Sequence, residues 1–199
     1  MAKGFRVWGG RLRNLQIDDL LSDLTRSAAF QSLVARVSAG GGLAGDTSAA
    51  LRLSGLTLTA KALYAVLLHR ATGRPQLIVV DGNKQAETLL PLLQTFADLV
   101  EPGSPPVFLP ALDVLPGQHM SPHAEILATR AIALCQLANG FGGITLAPVA
   151  AVLSRTEAPP YYRQLTQNLR VKDEVPLDDL AAHLESVGYE RRDPVEMVG

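Results

Sequence analysis

Apolar residues near the start of the chain fall at Leu20, Leu21, Leu24, Ala28, Leu33, Val34 and Val37, with polar residues between them. This spacing is close to a 3.6-residue repeat and predicts one amphipathic helix over residues 17–37. Residues 38–46 contain Gly40, Gly41, Gly42 and Gly45 and lose both the repeat and helix propensity, so they read as a flexible joint. The pattern then becomes regular. Residues 50–53 form a short apolar run closed by Ser54-Gly55, and residues 59–70 are of helix length, ending near Gly73. Leu77-Ile78-Val79-Val80 is a continuous, largely β-branched run, as expected of a strand buried on both faces. Asp81-Gly82-Asn83 reads as a turn before a helix over 84–99, followed by a strand at Val107-Phe108-Leu109, a helix over 122–137 and a strand at Ile144-Thr145-Leu146-Ala147. Alternating strands and helices joined by short turns predict an α/β fold, a parallel sheet flanked by helices.

At Ala158-Pro159-Pro160-Tyr161-Tyr162 the character changes to proline and aromatic residues, which marks a domain boundary. Beyond it lie residues 165–171, a polar hinge ending at Pro176, and a helix over 177–186 with Leu177, Leu180, Ala181 and Leu184 on one face. Gly188 sits where a C-terminal helix cap belongs. The reading gives three parts: a helix and Gly-rich linker at 1–48, an α/β domain at 49–157, and the start of a small α+β insertion domain at 158–199 that reads as cut short.

Composition sets bounds on function. With 199 residues, 47% hydrophobic and 19% charged, the chain is of globular type and long enough for one domain plus part of another. A net charge of -1 supplies no overall attraction for a polyanion, so any nucleic-acid role must be local or lie elsewhere. The single Cys135 excludes an intrachain disulfide and reads as a small buried residue on a helix in a reducing compartment. Residues 1–10 lead into no apolar run, and no stretch approaches the ~18 apolar residues of a membrane span, so the expectation is a soluble, cytoplasmic protein.

The segment with chemistry in its shape is Leu53-Ser54-Gly55-Leu56-Thr57-Leu58-Thr59-Ala60-Lys61-Ala62. It is expected between a strand and a helix, and it copies the spacing of a phosphate loop. A working loop needs two glycines that let backbone amides close on phosphate, a lysine for the β/γ phosphates and a hydroxyl for Mg²⁺. Gly55 and Lys61 keep their places, but Ala60 stands where the second glycine belongs and Ala62 where the hydroxyl belongs. Phosphoryl transfer depends on metal-assisted charge stabilisation, so neither catalysis nor nucleotide binding is expected here. Two other readings stay open. Gly55 can simply turn the chain with Lys61 solvated, or Lys61 can still hold phosphate in a nucleotide-binding enzyme domain.

Other candidates are weaker. His119 and His123 have helical ligand spacing, but Pro122 lies between them and no third ligand completes a metal set. Asp81 follows a strand, yet Asp-Gly-Asn is ordinary turn chemistry. No nucleophile elbow, catalytic carboxylate pair or acidic helicase box is present, and no metal site is expected.

The order of elements, the altered phosphate loop, Phe108-Leu109-Pro110-Ala111-Leu112-Asp113-Val114-Leu115-Pro116 with Ser121-Pro122-His123 after it, and Gly188-Tyr189-Glu190-Arg191-Arg192-Asp193 together resemble the amino-terminal region of the bacterial transcription-repair coupling factor (Mfd) family. The resemblance covers residues 49–199. That region is itself similar to domains 1a and 2 of the damage-recognition protein UvrB, a helicase-like domain interrupted by a small domain that docks on UvrA. UvrB keeps an intact phosphate loop and inserts a tyrosine-rich hairpin, whereas this chain passes from Pro116 to Pro122 with no aromatic cluster.

The resemblance implies a noncatalytic module that recruits UvrA in transcription-coupled nucleotide excision repair. ATP and Mg²⁺ would serve the full-length protein, and RNA polymerase and double-stranded DNA would be met by regions outside these residues. Arg170, Tyr189, Arg191 and Arg192 are the partner-binding candidates, because a guanidinium pairs as a planar fork with carboxylates. An unrelated α/β binding domain whose loop copies the spacing by chance is the third reading.

Overall fold

The computed structural model describes residues 17–39, 51–114, 121–167, 169–187 and 189. The order of elements is α1 (Ile17–Arg26), α2 (Ala28–Ala39), α3 (Leu58–Thr72), β1 (Gln76–Val80), α4 (Asn83–Val100), β2 (Val107–Phe108), α5 (Ala124–Ala138), β3 (Ile144–Pro148), α6 (Val149–Leu153), α7 (Pro159–Gln164) and α8 (Leu177–Ser186). The strands form a parallel sheet in the order β1-β3-β2, flanked by helices. The α/β class read from alternation is the class observed. Its central strand differs from expectation. β3 is buried at all five positions, while β1 lies at an edge and leaves Leu77 55% and Val79 49% exposed. A continuous apolar run thus did not mean burial on both faces here: the alternate positions Leu77 and Val79 share one face of the strand, and that face is the less covered one.

The chain divides into two compact units, the first comprising Met1–Ile78, Lys84–Val107 and Gly142–Leu146, the second Val79–Asn83, Phe108–Phe141 and Ala147–Gly199. In the first unit the expected single helix over 17–37 is two helices. Ser27 separates them: its hydroxyl accepts the Phe30 N–H (3.3 Å) and donates to Leu24 O (2.7 Å), which makes it the N-cap of α2. α2 packs on α3 through Phe30, which is buried and meets the Tyr64 ring edge-on at 5.9 Å and 65°. Arg74 donates to Val37 O (3.2 Å) and Ser38 O (3.3 Å), placing a cation at the carbonyl end of α2. α4 buries Ala86, Leu89, Leu93, Ala97 and Val100, a three-and-four spacing that gives one core-facing stripe.

His69 on α3 ties this unit together. Its Nδ1 lies 3.1 Å from Glu101 Oε2 and its Nε2 3.1 Å from Gly142 O, so both ring nitrogens face oxygens. Arg70 beside it donates to Val100 O (2.9 Å), satisfying a carbonyl at the end of α4.

In the second unit the stretch 108–113 is held by side chains from several places. Asn83 exchanges two hydrogen bonds with the Ala111 backbone, Arg130 of α5 donates to Pro110 O (2.8 Å), and the Asp113 carboxylate accepts the His123 N–H (3.2 Å). α7 packs against α5, with Arg163 Nε donating to Ala138 O (2.6 Å) and the Thr166 hydroxyl 3.0 Å from Cys135 Sγ. The Pro-Tyr segment forms the first turn of α7, with Pro159 and Pro160 in positions where missing N–H groups cost nothing. Cys135 lies on α5 as expected, but it is half-buried rather than buried. α8 buries none of its residues fully and leaves Leu177 78% exposed.

Candidate functional site

The segment that copies a phosphate loop is a capped helix start. Residues 51–57 are irregular, so no strand formed by 51–53 leads into it, contrary to the expected strand–loop–helix order. Thr57 is the N-cap of α3: its hydroxyl accepts the Ala60 N–H at 3.2 Å, and its carbonyl accepts the Lys61 N–H at 2.9 Å. The Ala60 and Lys61 amides are thus engaged by Thr57 of the chain itself. Gly55 has φ +77 and no atom within 4 Å of where a Cβ would stand. It turns the chain and makes no close approach.

The side chains at the helix start diverge in environment. Ala62 is buried at 1% exposure among the apolar residues of α3, while Lys61 is exposed and Ala60 intermediate. A hydroxyl at position 62 would be as buried as Ala62 is. Beside Lys61 runs an open groove of about 550 Å³, lined by Val37, Leu53, Leu56, Tyr64, Leu68 and Leu77 among others. Its walls are mostly apolar, the opposite of a triphosphate cradle.

The partner-binding candidates divide between described and undescribed residues. Arg170 is exposed in the turn before α8; its backbone N–H donates to Asp173 Oδ2 (2.8 Å), which leaves the guanidinium on the surface. Tyr189 follows α8 with its ring 67% exposed, and its N–H donates to Leu184 O (3.0 Å). Arg191, Arg192 and the expected cap Gly188 lie outside the described residues. So does His119 of the weighed histidine pair; His123 is the N-cap of α5, its Nδ1 accepting the Glu125 N–H at 3.4 Å. Among the described residues no three His, Cys, Asp or Glu side chains gather as metal ligands, and no helix is long and apolar enough to cross a membrane.

Two residues that hold the stretch 108–113 were not foreseen from the sequence. Arg130 is buried at 8% exposure on a largely apolar helix, and Asn83 looked like one more turn residue. The signal was present: a charged residue on an apolar helix implies a polar partner inside.

No protein-family model matches the chain. It is similar to curated transcription-repair-coupling factors. It is 26% identical over 147 residues to that of Bacillus subtilis, which covers 74% of this chain and 12% of the relative. It is 32% identical over 153 residues to that of Mycobacterium tuberculosis, covering 72% and 12%, and 32% identical over 80 residues to that of Haemophilus influenzae, covering 40% and 7%. The family found is the one to which the residues pointed. The chain matches 12% or less of the length of these relatives.

Proposed function

We propose, from a chain similar along 74% of its length to a transcription-repair-coupling factor, that it is the noncatalytic amino-terminal module of such a factor and recruits UvrA to stalled transcription for nucleotide excision repair. The similarity carries the reading. The capped start of α3 supports the noncatalytic part, since Thr57 occupies the Ala60 amide and Ala62 lies in the core. The segment from residue 158 onward begins the UvrA-docking domain, with Arg170, Tyr189, Arg191 and Arg192 as its contact residues. Arginine and tyrosine are residue types that anchor protein interfaces.

ATP and Mg²⁺, translocation on double-stranded DNA and contact with RNA polymerase belong to parts of the longer protein outside these residues. The setting is the bacterial cytoplasm. A pull-down with purified UvrA tests the proposal: the chain is retained, and reversing Arg191 and Arg192 to Glu together weakens retention. Equal retention of the reversed variant would remove those residues from the interface.

A further inference from the structure

We propose that the groove beside Lys61, between residues 51–57, α3 and β1, takes up an extended, acidic segment of a partner protein as an added strand. The reading is independent of UvrA docking and uses residues of the first unit alone.

The groove follows the edge of a strand rather than crossing one face. Leu77 and Ile78 are consecutive in β1, so their side chains point to opposite faces, yet both line the groove. The N–H and C=O of a strand residue point to the same side, and that side alternates along the chain. The Gln76 N–H donates to Gly143 O (3.1 Å), on the side of β3, so the main-chain groups of Leu77 point away from β3. A segment lying there can pair with β1 while its side chains meet Leu53, Leu56, Tyr64 and Leu68 on the opposite wall. Leu53 is 50% and Leu77 55% exposed, so the added strand has apolar surface to cover.

Charge selects the occupant. Residues 24–45 and 47–80, which supply every side chain lining the groove, contain no Asp or Glu. Three cations stand at it: Lys61 on its wall, Arg52 next to Leu53, and Arg74, which donates to Val37 O (3.2 Å). Lys61 is exposed, and its ammonium has no hydrogen-bond or ion-pair partner among the described residues. Carboxylates on the added strand complement this rim. Edge-to-edge pairing with a second copy would bring like charges together, and residues 1–16, with Lys3, Arg6, Arg11 and Arg13 and no acid, are set aside for the same reason. A nucleic acid would meet the cations but leave the leucine walls uncovered.

Fluorescence polarisation of the 199-residue chain with labelled peptides of about nine residues, alternating Asp or Glu with Val, Ile, Leu or Phe, tests the inference. Members of the set should bind saturably, and the same peptides with Lys for the acids should bind at least about tenfold more weakly. Lys61→Glu should weaken binding about fivefold and Leu77→Asp about tenfold, with melting temperatures within about 2 °C of the parent because both side chains are exposed. Exchange of the Leu77 amide should slow on binding. The inference is overturned if no acidic peptide binds, if the lysine peptides bind equally well, or if both variants bind within about twofold of the parent. A single-stranded oligonucleotide that binds, and loses affinity in both variants while the peptides do not, overturns it as well. So does dimerisation that Leu77→Asp abolishes. If the peptides bind this chain but not a version lengthened beyond Gly199, the groove belongs to the protein's own later residues and the partner assignment falls.

Discussion

Asn83 and Ala111 are paired like two residues of a β-ladder: Asn83 Nδ2 donates to Ala111 O (3.0 Å), and the Ala111 N–H donates to Asn83 Oδ1 (2.9 Å). One side-chain amide thus satisfies both backbone groups of a residue in an irregular stretch that has no strand partner there. Replacing Asn83 by Ala leaves two partly buried backbone groups unpaired and should cost about 1–3 kcal/mol in a urea denaturation series. Asn83→Asp keeps the acceptor and loses the donor, so its cost should fall between the two. A variant as stable as the parent would show that water replaces the pair.

The start of α3 gives a second expectation. Restoring the residue types of a phosphate loop by Ala60→Gly with Ala62→Ser should not restore nucleotide binding, because position 62 is in the core and Thr57 caps the helix ahead of Lys61. The buried hydroxyl should instead cost about 1–3 kcal/mol. Magnesium-dependent binding of a fluorescent ATP analogue by this double variant would contradict the account, and binding by the parent would contradict it more strongly.

Gly55 is held by its backbone angle alone, as its φ of +77 and the open space around it require. Gly55→Ala should therefore cost about 1 kcal/mol through φ, with no added steric penalty. Denaturant midpoints would read this; a loss of several kcal/mol would mean a close contact that the geometry does not contain.

The fold was legible where burial and periodicity agree. The three observed strands and helices α3, α4, α5 and α8 were expected within a few residues, because core-facing spacing is written as in α4 at Ala86, Leu89, Leu93 and Ala97, whereas the short helices α6 and α7 were not. What was not legible depends on single polar residues with distant or local partners. Ser27 breaks the single predicted helix into two, which leaves Leu20 and Ala28 of the predicted stripe exposed and buries Phe30 instead. β1 reads as buried because its composition is that of a central strand, yet Leu77 and Val79 on one of its faces are exposed, and it is β3, between β1 and β2, that is buried at every position. The site was legible as spacing at Gly55 and Lys61, while the meaning of the spacing depended on where the helix begins, which Thr57 sets.

His69 supplies a third kind of test. It joins Glu101 and Gly142, residues 32 and 73 positions away, through one buried ring. His69→Ala removes both bonds and opens a cavity, and should cost about 2–4 kcal/mol in thermal or denaturant unfolding. His69→Gln, which can reach one of the two oxygens, should lose less. Equal losses would assign the effect to packing rather than to the bonds.

The account stands or falls on contact with UvrA. Titrating purified UvrA with this chain in a calorimeter should give saturable binding that weakens about tenfold when Arg170 is reversed to Glu. Absence of any binding, by this chain and by a version lengthened beyond Gly199, would contradict it.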